Sequence, residues 1–128
     1  MPQTSTGLKG LARVILTVRD QDAAIDFYVN TLGLDLLDDI PFGEGDRWVE
    51  VGFPGAPTVI ALARPMGIEP DAGTTCVSFG TPDVEALHAE LRERGVDVDD
   101  VMRPGDPAPP MFFFRDPDGN ALHAAEEA

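Results

Sequence analysis

Cysteine, lysine and histidine are scarce in this sequence, and each scarcity removes a class of function. The one cysteine, Cys76, excludes an internal disulfide and suits a reducing cytoplasm, where the chain is expected to reside. It lies in the apolar stretch TTCVSF and is expected to be a small core residue rather than a nucleophile. One lysine, Lys9, and eight arginines face 23 acids, a net charge of −14. Such a field repels a phosphate backbone, so nucleic acid is not an expected partner. The same charge serves solubility, or draws in cationic small molecules at short range before salt screens it. No apolar run reaches the roughly 18–20 residues of a membrane span. The N-terminal MPQTSTGLKG lacks the apolar centre of a secretory signal. Only two histidines are present, His88 and His123, which limits any metal site from the outset.

What is present is a plan stated twice. The length, 128 residues at 43% hydrophobic content, suits one compact domain or two small halves sharing a core. RVILTV (13–18) is a β-branched, strand-like run. RDQDAAIDFYVNTLGL follows, with Asp20 as helix cap, Asp22 in the first turn, and Ala24, Ile25, Tyr28 and Leu32 at helical spacing. Gly33 stops that helix, because glycine accepts positive φ readily. TTCVSFG (74–80) repeats the strand. TPDVEALHAELRERGV repeats the helix, with Thr81 as cap, Pro82 in the first turn, a Val84, Leu87, Leu91 stripe, and Gly95 as the stop. The two stop glycines lie 62 residues apart. Beyond them, DRWVEVGFPGAPTVIALA and PMFFFRDPDGNALHAA each read as strand, proline–glycine turn, strand, with the turn prolines Pro54 and Pro117 63 residues apart. Proline presets one turn position and glycine supplies the left-handed one. LDLLDDI (34–40) and VDVDDVM (96–102) are the connecting strands, and the acids Asp97, Asp99 and Asp100 are expected to edge the sheet and face water. Each half is strand–helix–strand–strand–strand, as in a duplicated unit. The expected limits are about 11–63 and 74–125, joined by a Pro/Gly-rich linker at 64–73.

Side chains alternate along a strand. Val14, Leu16 and Val18 therefore face the helix in the first half, as Thr75, Val77 and Phe79 do in the second. Arg13, Ile15 and Thr17, and Thr74, Cys76 and Ser78, face the other way. A sheet with a helix on one face leaves a second face to be covered or used, and two half-sheets curving together would make it a cleft.

VRDQDAAIDFYVNTLGL, ELRERGV and FFRDPDGNAL together resemble the vicinal oxygen chelate superfamily, the glyoxalase, bleomycin-resistance and extradiol dioxygenase group, over about residues 11–125. The resemblance implies an α+β fold of paired βαβββ modules forming a U-shaped cleft, completed within or between subunits of a homodimer. In its metal-dependent members, His and Glu ligands come from the first and last strands of each module. Carried over one by one, those positions are Arg13, Ala61, Thr74 and His123. Arginine has no lone pair to donate, alanine has no donor atom, and threonine is at best a weak neutral ligand. Zinc, iron or manganese needs about three good protein donors, so no metal or other cofactor is expected. A divalent ion remains the alternative that the donor count opposes.

Without a metal the cleft is a lined pocket. Arg13, Trp48, Glu50, Thr74, Met111, Phe113 and His123 are the expected lining, flat aromatic walls with a few convergent polar groups. Each also has a plainer role open to it: Trp48 as a core plug, Glu50 on a solvated strand face, Arg13 as an ion-pair partner of Glu50 filling a metal's place. Two functions follow. One is a binding protein that sequesters a drug or metabolite, with a planar cation as the ligand suited to an acidic surface. The other is an enzyme using His123 as general base beside Arg13 as anion stabiliser.

Overall fold

The computed structural model describes residues 6–65 and 76–127. Its first half runs β1 (Arg13–Thr17), α1 (Gln21–Ile25), β2 (Asp35–Phe42), β3 (Asp46–Gly52) and β4 (Val59–Ala63). The second runs β5 (Cys76–Thr81), α2 (Val84–Glu93), β6 (Asp97–Val98), β7 (Met111–Arg115) and β8 (Ala121–Glu126). Two four-stranded mixed sheets result, ordered β1-β4-β3-β2 and β5-β8-β7-β6. In each, the first strand pairs in parallel with the last, which requires the helical crossover between them. The duplicated βαβββ plan is thus the architecture. Thr74 and Thr75, with most of the expected linker, lie outside the described residues.

Alternation sorts most of the residues as the strand pattern predicts, with Val14, at 38% exposed, an exception. Leu16, Val18, Val49, Val51, Phe112, Phe114, Leu122 and Ala124 are buried with residues of both helices in one continuous apolar cluster. Val77 and Phe79 pack against it half-buried. A partly open cavity of about 330 Å³ is lined by residues of both halves, among them Val14, Ile60, Val77 and Phe79, together with Cys76 and Ser78. Arg13 and His123 alternate with these core positions along β1 and β8, so they lie on the sheet faces turned away from the apolar cluster.

Several local expectations change. Asp20 does cap α1, accepting from the Ala23 amide at 3.1 Å. The helix then widens into a π-helical segment, Asp26–Thr31, with the Leu32 amide reaching back to the Phe27 carbonyl. That widening buries the adjacent pair Phe27 and Tyr28 together. The cap of α2 is Asp83, whose carboxylate accepts from the Ala86 amide at 3.0 Å. Thr81 instead accepts from the Asp83 amide, and Pro82 precedes the helix rather than opening it. The strand expected over 96–102 shrinks to Asp97–Val98, ahead of the proline-rich loop. Asp99 does not simply face water: it takes a two-pronged bond from Arg115 at 2.9 and 2.7 Å, which holds its carboxyl below the usual range. Cys76 is exposed, contrary to expectation, because its parity on the edge strand β5 turns it away from the core.

The two halves are tied through DPDGN. Asp116 and Asn120 are each only 5% exposed. The Tyr28 hydroxyl donates to Asp116 Oδ2 at 2.8 Å, and the Asn120 side chain donates to the same oxygen at 2.9 Å. Asp116 Oδ1 accepts from the Asp118 and Asn120 amides, and Asn120 Nδ2 also reaches the Thr17 carbonyl at 3.0 Å. The Arg19 amide donates to Asp118 at 3.0 Å, and Arg94 of the second half donates to the Thr31 carbonyl at 2.8 Å. Burial and the adjacent Asp116 carboxylate push the Tyr28 phenol well above its ordinary value.

A raised phenol pKa stabilises the fold below about pH 10 and is lost as pH rises further, because the unfolded tyrosine ionises first. Tyr28 is the sole tyrosine, so absorbance at 295 nm reports it alone. The folded protein should show no phenolate step at pH 11, and that step should appear with unfolding. A reversible step in folded protein near pH 10 would contradict the clamp. In urea, Tyr28→Phe should lose about 1.5–3 kcal/mol, as expected for a hydrogen bond to a charged group.

Candidate functional site

The first cluster lies on the outer face of the first sheet. Glu50 on β3 sits opposite Ala61 on β4, and Ala61 sits opposite Ile15 on β1. Alanine's missing bulk leaves a gap that Arg13 crosses. Its Nε donates to Glu50 Oε2 at 3.1 Å, and Trp48 Nε1 donates to the same oxygen at 2.9 Å. The Arg13 guanidinium lies 5.7 Å from the centre of the Trp48 ring, within cation–π range. Glu50 is only 9% exposed, and these two donors supply hydrogen bonds that water would otherwise give a carboxylate at that depth. Around the cluster the same face carries the exposed Ile15 and Ile40, the latter opposite Trp48, beside the exposed Asp38 opposite Glu50.

The second cluster lies on the outer face of the second sheet. His123 on β8 is flanked by Ser78 on β5 and Phe113 on β7. Its Nδ1 is 2.7 Å from Ser78 Oγ, and its Nε2 is 3.1 Å from Met111 Sδ. The Phe113 ring is centred 4.8 Å away. A thioether only accepts, so this pairing puts the ring proton on Nε2 and makes Ser78 the donor to Nδ1. Partial burial lowers the imidazole pKa below its ordinary value, which favours the neutral ring. Both ring nitrogens then have partners, and no open lone pair remains for a metal or for a substrate proton.

The residues expected to line one pocket thus form two groups, Arg13–Trp48–Glu50 and Met111–Phe113–His123. Among the described residues, no hydrogen bond, ion pair or ring contact joins them. Thr74, the remaining expected member, lies outside the described residues. Ser78, absent from the expected lining, is the partner that fixes the His123 ring, and its parity with Cys76 was the available signal. His88 is structural, bonded to the Asp99 carbonyl at 2.8 Å and set edge-on to Phe112.

The described members of the donor set do not fit a metal. Of the three described ligand positions, Arg13 and Ala61 offer no lone pair, and His123 has both nitrogens engaged. Glu50, the nearest carboxylate on that face, accepts from Arg13 and Trp48. No group of three His, Cys, Asp or Glu side chains is arranged for a metal among the described residues. Cys76 is no better placed, since partial desolvation raises its thiol pKa and disfavours the thiolate. Among the described residues no helix is long and apolar enough to cross a membrane.

The sequence profile of the Glyoxalase/Bleomycin resistance protein/Dioxygenase superfamily matches residues 10–124. The structure is similar to that of TnmS3, an antibiotic binding protein from Streptomyces sp. CB03234. The two are 35% identical with a TM-score of 0.83, covering 97% of this chain and 100% of that one. It is also similar to a member of the glyoxalase/bleomycin resistance protein/dioxygenase superfamily from Sphaerobacter thermophilus DSM 20745. There the identity is 32% and the TM-score 0.81, covering 94% and 98% of the two chains. An uncharacterized protein of Shewanella frigidimarina (strain NCIMB 400) is 47% identical over 58 residues, which is 44% of this chain and 43% of that protein. That match therefore spans less than half of the relative's length. With duplicated βαβββ units and a profile match across nearly its whole length, the chain belongs to the glyoxalase/bleomycin resistance protein/dioxygenase superfamily.

Proposed function

We propose that this protein binds and sequesters a planar aromatic small molecule, an antibiotic or related metabolite, without a metal. The observation that carries the reading is Arg13. It occupies a metal-ligand position of the family and engages the neighbouring Glu50, on a face that carries the half-buried Trp48 and the exposed Ile15, Ile40 and Asp38. A flat apolar surface with a few fixed polar groups suits recognition of an organic ring system. The similarity to TnmS3 supports the same class. The net charge of −14 favours approach of ligands that carry a cationic substituent. General-base catalysis by His123 is the weaker reading, because both of its nitrogens are already engaged.

The two clusters lie on outward faces, so a closed pocket calls for a second copy. In the proposed homodimer, the Arg13–Trp48 face of one protomer lies against the His123–Phe113 face of its partner. Burying Ile15 and Ile40 there would contribute roughly 1.5–3 kcal/mol for each fully covered side chain.

Two measurements check this. Protein purified without chelator should carry no stoichiometric zinc, iron, nickel or manganese by elemental analysis; a one-to-one metal that His123→Ala abolishes would overturn the metal-free reading. A panel of planar aromatic antibiotics should include compounds that quench Trp48, the sole tryptophan, and the quenching should fade on dilution in step with dimer dissociation in sedimentation. A monomer that keeps full quenching would contradict the composite cleft.

A further inference from the structure

Arg13 presents an unused hydrogen-bonding edge, and its direction is set by the residues behind it. Only Nε is spent, on Glu50 at 3.1 Å. Among the described residues, Nη1 and Nη2 take no hydrogen bond, and the side chain is 43% exposed. A guanidinium is planar, so fixing Nε on a buried carboxylate fixes where the two Nη groups point. The indole beside it, 5.7 Å from ring centre to guanidinium carbon, limits swing in the other direction. The result is a donor pair with no acceptor among the described residues, standing next to an aromatic ring on a partly apolar face.

We infer that Arg13 is the specificity-determining residue of this cleft, and that it selects ligands whose inward end carries an acceptor oxygen: a ring carbonyl, phenolate or carboxylate. The inference rests on the cleft being a ligand site, as proposed above, and it refines the ligand class. Whole-chain charge and local chemistry then act at different ranges. The acidic surface attracts a cation from a distance but is screened beyond about 8–10 Å. At the floor, a donor-only ammonium would meet a guanidinium and find Glu50 already bonded to Arg13 and Trp48. Asp38, opposite Glu50 in the register, adds one further negative charge to this face. A neutral carbonyl therefore satisfies the Nη groups with less repulsion than a carboxylate does.

Three probes with one ring and different heads test this by titration calorimetry: 2-acetylnaphthalene, 2-naphthoate and 2-naphthylmethylammonium. In the native protein, 2-acetylnaphthalene should bind roughly fivefold or more tightly than the ammonium compound, the scale of one hydrogen bond to a charged donor. Arg13→Met should lower the affinity for 2-acetylnaphthalene by a similar factor and leave the ammonium compound bound at least as well. Because 2-acetylnaphthalene is neutral, that loss reports the hydrogen bond rather than the charge field. Arg13→Lys keeps the cation but not the fork. It should also weaken 2-acetylnaphthalene, and it serves in place of Arg13→Met if thermal melting shows that variant unfolded. Tightest binding by the ammonium compound, or an Arg13 variant that keeps the native preference, would overturn the inference while leaving a ligand-binding cleft. No binding by any of the three would overturn both this inference and the proposed function.

Discussion

A buried carboxylate, Asp116, holds the molecule in its present form. Four donors converge on it: the Tyr28 hydroxyl, the Asn120 side-chain amide, and the Asp118 and Asn120 backbone amides. An ion at 5% exposure would be costly if any of these were missing. Because the donors come from both halves, the two sheets cannot shift independently without breaking bonds to a desolvated charge. The turn at 116–119 is thereby pinned, and it sets where β8 starts. His123 follows three residues into that strand, so the clamp also determines which face carries the imidazole.

The outward faces owe their chemistry to an economy of side-chain size. Ala61 contributes nothing polar, and its small volume lets Arg13 and Glu50 meet across a strand. A larger residue there would separate them and leave Glu50 with Trp48 as its described partner. On the other sheet, Met111 and Ser78 saturate His123 from both sides. Among the described residues, neither face brings together the donors of a metal centre. Function in this fold is set by the cleft residues and not by the scaffold.

The duplication, both hairpins, the inward and outward parity of the strands and the Arg13–Glu50 pairing were legible from the sequence, since each depends on local periodicity or turn chemistry. What escaped depends on partners distant in the chain. Asp116 and Asn120 read only as turn residues, because Tyr28 and Thr17 are about ninety to a hundred positions away. Gln21, the first residue of α1, is buried with its side-chain amide donating to the Arg47 and Leu62 carbonyls, partners that no local pattern signals. Thr81 and Asp83 are both able caps, and proximity to the first helical residue favoured Asp83. Cys76 was misjudged because an apolar neighbourhood in sequence says little about an edge strand with one face outside. The separation of the expected lining into two clusters was also hidden, since parity gives the face of each sheet but not how the sheets are stacked.

The central claim is that Trp48 and His123, on separate outward faces of one chain, belong to a single metal-free ligand site in the assembled protein. Nuclear magnetic resonance tests it directly, through the lone indole N–H and the His123 ring of chelator-treated protein during titration with one planar ligand. The account predicts that both signals move together over the same ligand range with no metal added. Movement of one signal alone, or of both only after a divalent metal is supplied, would contradict it.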